Sequence, residues 1–492
     1  MSDAERESRR ARLEALRAQG IDPFPARVGA RRRIALVRGE ADALDAAALD
    51  AAPRPAAVAG RVLSLRSFGK LRFFDLVEDG VRIQASARKG EAPEAVWALL
   101  EQLDVGDFVR VSGRLWRTRT GELTVSAEAL DFLAKSLRPL PEKWHGLADV
   151  EARFRQRYLD LLVNEDARRI ALVRSRTVTA LRTFLDARGF IEVETPVLQP
   201  LYGGAAARPF TTHHNLYDQD LYLRISDELY LKRLVVGGLD RVYEIGRDFR
   251  NEGVSRKHNP EFTMLECYQA FADYRDMMDL AQDMVQEVAA RVLGALRCSW
   301  QGKEIDFAGT WPRVSMRDAI RERTGVDILA STDAAGLAAA AQGAGLELDP
   351  QPTWAKGVDE LFGRFVEPAL VQPTFVTDHP IELSPLAKRK ADEPRLVERF
   401  ELFAAGLELA NAFSELNDPI EQRARFDAAR EDAREGDLEA HPMDEDYLRA
   451  LEHGLPPTGG FGIGVDRLVM VLSDAPSLRE TILFPHLRPE RS

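Results

Sequence analysis

The chain has 492 residues, 45% of them hydrophobic and 30% charged, with a formal net charge of -12. That length exceeds one ordinary core and implies two or three domains, and the composition is that of a soluble globular protein. Its two cysteines exclude a disulfide scaffold, its charged N-terminus lacks an apolar signal core, and no apolar run approaches the roughly 18 residues of a membrane span. A cytoplasmic enzyme or binding protein is expected, with no membrane contact.

Charge is unevenly placed. Residues 1–138 carry 24 Lys+Arg against 20 Asp+Glu, a balance of +4, which leaves -16 for the remainder. A mildly basic front on an acidic body permits a nucleic-acid partner. Residues 3–19 read as an Arg-rich amphipathic helix stopped at Gly20, able to lie on a phosphate backbone. From Ala57 to Leu133 short alternating runs are split by Gly and Asp-Gly turns, with a helical EAPEAVWALLEQL between the third and fourth. Five strands with a helix after the third describe an OB-fold barrel. We therefore expect an N-terminal extension over 1–56, the barrel over 57–138, a Pro-marked linker over 139–160 and an α+β body over 161–492. Within the body, residues near 300–370 read as a helical insertion.

The body carries four constellations. GFIEVETP (189–196) leads into a Gly203-Gly204 loop, and Glu228 follows on an amphipathic helix. His213 and His214 lack metal spacing and read as structural. FRNEGVSRKHNPEF (249–262) reads as strand–loop–strand. Arg250 and Glu252 would share one strand face, and Phe262, Met264, Glu266 and Tyr268 another. Arg250 suits a phosphoryl oxygen, Glu252 an exocyclic amine and Phe262 a base face. In RFELFAAGLELANAFSEL an Ala405-Gly406 hairpin tip sets Glu401 across from Glu408, which suits Mg2+ on phosphates. Asn411, Phe413 and Glu415 alternate along the outgoing strand. GGFGIGVDR (459–467) reads as a glycine loop before a helix, able to approach a phosphate.

GFIEVETP, FRNE…HNPEF and GIGVDR together resemble motifs 1, 2 and 3 of the class II aminoacyl-tRNA synthetases. RPLPEKWHGLADVEARFRQRYLDLL, GGAAARPFTTHHN, ELYLKRLVVGG, NAFSELNDP and GLPPTGGFGIGVDR narrow the resemblance to the bacterial lysine–tRNA ligases, over nearly the whole chain. The resemblance implies an OB-fold anticodon-binding domain joined to an antiparallel sheet flanked by helices. It implies ATP held by Arg250, Glu252, His258, Asn259, Phe262 and Arg467, with Arg250 and Arg467 catalytic. Glu401 and Glu408 would hold Mg2+, up to about three ions per subunit. Lysine would meet Gly204, Glu228, Glu266, Tyr268, Asn411, Phe413, Glu415 and Gly464. A homodimer through the segment around Pro196 and a tRNA(Lys) partner are implied as well, with Arg66, Phe73 and Gln84 on the anticodon. The residue chemistry argues the same way: carboxylates suit an ammonium-bearing substrate, whereas an aspartate pocket would need a cation at its end.

Overall fold

The computed structural model describes residues 3–141, 147, 149–434 and 442–490. It divides into two compact units, Met1–Gly146 and Leu147–Ser492. Residues 142–146 and 148 of the expected linker lie outside the described residues.

The first unit opens with helix α1 (Asp3–Ala18), whose Leu13 and Leu16 are buried. Arg9 donates to the carbonyl of Val105 (3.0 Å), and Arg12 pairs with Asp104. Two of the arginines that could have faced a phosphate backbone thus hold the turn before a barrel strand. Strands β1 (Pro55–Phe68), β2 (Leu71–Glu78), β3 (Val81–Arg88), β4 (Phe108–Arg117) and β5 (Leu123–Ala134) close a barrel in the order β1-β2-β3-β5-β4. Helix α2 (Glu94–Glu101) follows the third strand. Strand alternation sends Phe74, Leu76, Ile83, Ala85, Val109, Val111 and Val125 into the barrel, each with no exposed surface.

In the second unit the long helix α3 (Glu165–Asp186) leads to edge strand β6 (Ile191–Glu192), and helix α4 (Glu228–Val236) precedes the pair β7 (Arg241–Phe249) and β8 (Glu261–Ala270). Helix α5 (Tyr274–Leu293) starts at a reciprocal capping box between Asp273 and Asp276 and ends at Gly294. Strands β9 (Arg313–Ser315), β10 (Thr374–Thr377), β11 (Arg399–Ala404), β12 (Leu407–Ser414) and β13 (Thr458–Gly464) complete the sheet. Its order is β9-β10-β11-β12-β13-β8-β7-β6, antiparallel except at the two edges. Helix α6 (Val465–Leu472) continues directly from β13.

One face of this sheet is dry. Leu265, Cys267, Phe400, Leu402, Ala412, Phe461 and Ile463 pack with α3, α5 and α6 in the largest core. Alternation then turns Phe262, Met264, Glu266, Tyr268, Gly460 and Gly462 to the other face, where the cleft lies. Over 297–370 the helices begin only at Met316. Residues Arg297–Trp300 and Lys303–Asp306 form a hairpin, and β9 joins the main sheet. The helices Met316–Thr324, Ala334–Gly343 and Trp354–Phe365 bury Ile320, Leu337, Val358 and Leu361 in a core of their own. Among the described residues no helix is long and apolar enough to cross a membrane.

Candidate active site

The cleft has a volume of about 720 Å³ and lies over strands β8, β11, β12 and β13. Strands β7 and β8 pair in register from Arg241↔Gln269 to Phe249↔Glu261. The ladder ends there, so Arg250 and Glu252 lie in the loop rather than on a strand face as expected. Their convergence comes from loop bonds: Arg250 N donates to Pro260 O (2.9 Å), and Glu252 N to Arg250 O (2.8 Å). The Arg250 guanidinium stands 5.1 Å from the centre of the Phe262 ring. His258 Nδ1 shares a hydrogen bond with Ser255 Oγ (2.8 Å). Burial, then Arg467 and Lys257, hold its imidazole below the usual range, so it stays neutral. Asn259 donates to Glu261 O, and its buried Oδ1 has no partner among the described residues. Arg250, His258, Asn259 and Phe262 line the cleft with Glu252.

The β11–β12 turn is Ala405-Gly406, both at positive φ (59° and 71°). The expected pairing of Glu401 with Glu408 does not form: the two-residue turn sets Glu408 opposite Phe403, and a bulge at Leu402/Phe403 then moves Glu401 opposite Asn411. Both carboxylates nevertheless line the cleft. Arg399 donates to Glu401 Oε1 (2.5 Å), to Asn411 Oδ1 (2.9 Å) and to Ser384 Oγ (2.8 Å). Arg467 Nη1 reaches Glu408 Oε2 (2.9 Å). Burial lifts Glu401 to about 8, with Arg399 opposing and Glu408 adding to it. Burial acts on Glu408 too, but Arg467 holds it below the usual carboxylate range. No cluster of three or more metal-ligating side chains occurs among the described residues. Two carboxylates on the wall of a cleft that also carries Arg250 and Arg467 fit Mg2+, which commonly takes one or two carboxylates and completes its shell from phosphate and water.

The other end of the cleft is acidic. Gly204 lies at φ +87°, and a Cβ there would fall 2.7 Å from Ser226 Oγ. Ser226 Oγ and Tyr268 OH each donate to Glu266 at 3.0 Å. Burial, then Asp248 and Glu228, push Glu266 up to about 8. Glu228 opens helix α4 and accepts from Lys232 Nζ (2.5 Å) on the same helix. Glu415, 1% exposed, stands one layer behind the cavity wall and also pairs with Lys232. Asn411, Phe413 and Gly464 line the cavity. The expected glycine loop 459–464 is in fact strand β13, hydrogen-bonded to neighbours on both sides. Glycine is used there for space: a Cβ on Gly460 would fall 1.9 Å from Glu415 Oε1 and 2.6 Å from Tyr268.

On the barrel, Arg66 opposes Phe73 and Asp75 opposes Gln84, so all four share one face of β1–β3. Phe73 is half-buried and meets Phe68, 65% exposed, edge-on at 6.2 Å. Asp75 accepts from Arg66 (3.2 Å), and Gln84 Oε1 accepts from Thr124 Oγ1 (2.9 Å). His213 hydrogen-bonds Asp220 and His214 stacks on Tyr217, away from the cavity wall.

Sequence reasoning missed three charged groups. Arg399 sits two residues before Glu401, on the same strand face. Lys232 lies four residues after Glu228, a spacing that places both on one helix side. Arg224, 2% exposed on its side chain, gathers Glu244 (2.6 Å), Asp227 (2.9 Å) and Asp248 (3.4 Å) behind Glu266. Asp227 lies only three residues on, but Glu244 and Asp248 come from strand β7, so no local pattern marks the cluster.

A barrel of the oligonucleotide-binding type, and an antiparallel sheet whose cleft runs from arginines to carboxylates, define the class of aminoacyl-tRNA synthetases. Comparison with known proteins agrees. Residues 149–488 match the family described as tRNA synthetases class II (D, K and N), and residues 56–133 match an OB-fold nucleic acid binding domain. A lysine–tRNA ligase of Pelotomaculum thermopropionicum is 52% identical over 98% of this chain and 94% of its own length. Those of Roseiflexus castenholzii (53%, 98% of each) and Moorella thermoacetica (52%, 97% of this chain and 96% of its own) are similar to the same degree. The chain belongs to the class II tRNA synthetases of the D, K and N group.

Proposed function

We propose that the chain is a lysine–tRNA ligase, which activates L-lysine with ATP and transfers it to the 3′ end of tRNA(Lys). The observation that carries this reading is the charge of the cleft's inner end. Glu228, Glu266 and Glu415 outnumber the one ammonium among them, Lys232, which is itself closed off between two of the carboxylates. With all three carboxyls ionised, the state into which a bound ammonium draws Glu266, three negative groups less one positive leave two negative charges, the complement of an α-ammonium and a side-chain ammonium. An aspartate or asparagine side chain would find no free donor cation there, and a buried unpaired carboxylate is costly.

ATP takes the arginine-rich end. Arg250 meets the α-phosphate, Glu252 the adenine amine, and Phe262 with Arg467 the two faces of the base. Neutral His258 lies toward the γ-phosphate and Asn259 beside the nucleotide. Mg2+ held by Glu401 and Glu408 supplies charge neutralisation on the phosphates. The lysine carboxylate attacks the α-phosphorus in line, and pyrophosphate leaves. Arg250 offsets the charge that grows on the non-bridging oxygens. The tRNA 3′-hydroxyl then attacks the adenylate carbonyl and AMP leaves. Positioning and electrostatics carry both steps, with no covalent enzyme intermediate.

The barrel face of Arg66, Phe73 and Gln84 takes the anticodon, with Phe73 stacking on a base. The enzyme works in the cytoplasm as a homodimer through the segment around Pro196, where Ile191, Val197 and Leu198 are exposed apolar side chains. ATP–pyrophosphate exchange measured with each of the twenty amino acids tests the reading. Lysine alone is expected to support fast exchange. Exchange driven by aspartate or asparagine and not by lysine overturns it.

A further inference from the structure

Lys232 lies in the third helical position after Leu229 and has no exposed side-chain surface, yet it carries a charge. Its Nζ meets Glu228 of its own helix at 2.5 Å and pairs with Glu415 at the end of β12. Three rings enclose the ammonium: Phe413 at 5.2 Å, and Tyr268 and Tyr447 at 6.0 Å. These are the charged and titratable groups that face it, with Glu266 one step further, bonded to Tyr268. Burial works against the charged form, but Glu228 and Glu415 raise Lys232 above its ordinary value. The two carboxylates feel the reverse balance, pushed up by burial and pulled down by the ammonium.

Two details show which way this triad points. Lys232 is not on the cavity wall, whereas Glu228 is. Glu415 meets Lys232 through Oε2, while its buried Oε1 has no hydrogen-bond partner among the described residues. That oxygen lies where a side chain on the cavity-lining Gly460 would stand, so nothing at that position covers it. The ammonium therefore grips both carboxylates from the protein side and leaves an acceptor turned toward the cavity.

We propose that Lys232 is a positioning and specificity-determining residue, a built-in counter-ion that orients Glu228 and Glu415 and sets the pocket at two negative charges, so that it selects a dicationic amino acid. The proposal rests on the lysine reading of the same pocket. Glu266 already holds a proton in the free pocket near neutral pH; without Lys232 a second of the three carboxyls would hold one as well, a further proton that an incoming ammonium must displace. The side-chain ammonium of the substrate would also meet carboxylates no longer fixed in place.

Kinetics of lysine-dependent ATP–pyrophosphate exchange test this. Lys232→Met is expected to raise the lysine KM by about tenfold or more at neutral pH, the scale of losing one partner of a buried charge pair. The ATP KM should move by less than about twofold, and the lysine KM should recover partly toward about pH 9 as the trapped proton leaves. A second comparison does not depend on that variant folding. Glu415→Gln removes one negative charge, and adding Lys232→Met to it returns the pocket to two. The double variant is expected to bind lysine about fivefold more tightly than Glu415→Gln alone, a coupling that a double-mutant cycle reads directly. A residue that only supports the fold would make the double variant worse than the single one, and that result, or an unchanged lysine KM in Lys232→Met, overturns the proposal. If the unaltered enzyme instead activates another amino acid, the lysine reading itself has failed.

Discussion

Arg467 donates from a single nitrogen, Nη1, to both the backbone oxygen (2.7 Å) and the carboxylate (2.9 Å) of Glu408. Helix α6 and hairpin strand β12 are thereby tied across the arginine-rich end of the cleft. The carbonyl contact survives any change at the Glu408 side chain, so the arginine stays near its place when the carboxylate is lost. Glu408→Gln is therefore expected to act on the cation and not on the amino acid. The Mg2+ concentration for half-maximal exchange should rise by about tenfold or more, the scale on which altering a metal's protein partners acts. The lysine KM should stay within about twofold. A magnesium titration at saturating lysine and ATP measures this, and an unchanged requirement would remove Glu408 from the cation site.

Two acids in the cleft make stability depend on pH in an unusual direction. Glu266 and Glu401 are both raised from 4.5 to about 8, chiefly by burial. The folded protein thus holds protons that the unfolded chain has released, and stability falls as pH climbs from the unfolded value through the folded one. His258 and His379 are held below 6.5, so their contribution is complete before the upper part of that window. The unliganded protein is expected to melt at a lower temperature at about pH 8.5 than at about pH 7. If lysine binds beside Glu266 as proposed it selects the ionised form, so the rise in melting temperature on adding lysine should be larger at the higher pH. Calorimetry with and without lysine at both values checks the two signs. A free protein that gains stability over this interval would show that these carboxyls are ionised already.

Strand β13 supplies a steric test inside one short segment. A methyl group on Gly460 would meet Glu415 Oε1 and Tyr268, whereas one on Gly462 would sit 3.4 Å from Met264 and 3.6 Å from Glu266, at ordinary contact distance. Gly460→Ala must displace Glu415 or the Tyr268 ring. It is expected to lower kcat/KM for lysine about a hundredfold, the cost of misplacing a binding group by an ångström. Gly462→Ala should fold and keep exchange within about a fewfold of the parent. Exchange kinetics on both, with circular dichroism to confirm folding, separate the outcomes. Equal behaviour of the two variants would mean that Gly460 is not needed for close approach.

The sequence made some of this architecture legible and hid the rest for identifiable reasons. Period-two alternation in EFTMLECY announces which side chains of β8 face the cleft, and Ala405-Gly406 announces the turn, because both signals are local. GGFGIG reads as a loop since glycine disfavours strands, yet the sheet uses it as a strand where Glu415 and Tyr268 fill the missing side chains' space. That choice is made by neighbours distant in sequence. The bulge at Leu402/Phe403 shifts the partner of Glu401 by one residue, from Ala410 to Asn411, which turn chemistry alone does not encode. Lys232 was detectable from its spacing to Glu228, but its second partner, Glu415, lies 183 positions on. Arg224 is harder still, since of its partners only Asp227 is local, and Glu244 and Asp248 reach it from β7.

The barrel face allows the two halves of the reaction to be separated. Phe73 is half-buried, braced edge-on by Phe68, and its neighbours Arg66 and Gln84 are themselves held by Asp75 and Thr124. The ring is therefore a fixed platform rather than a side chain that must be ordered on binding, which favours stacking on a base. Phe73→Ala removes the platform without touching the second unit, where lysine and ATP react. The kcat/KM for aminoacylation of tRNA is expected to fall by about tenfold or more, the range measured for losing one stacked base. ATP–pyrophosphate exchange, which needs no tRNA, should keep its parental rate. Both assays on one preparation of the variant give the ratio. Matching losses would trace the defect to folding and take Phe73 out of the proposed anticodon site, while Arg66→Ala, which leaves Asp75 to Ser64 and Arg82 and keeps both rings, should give a smaller charging loss in the same direction.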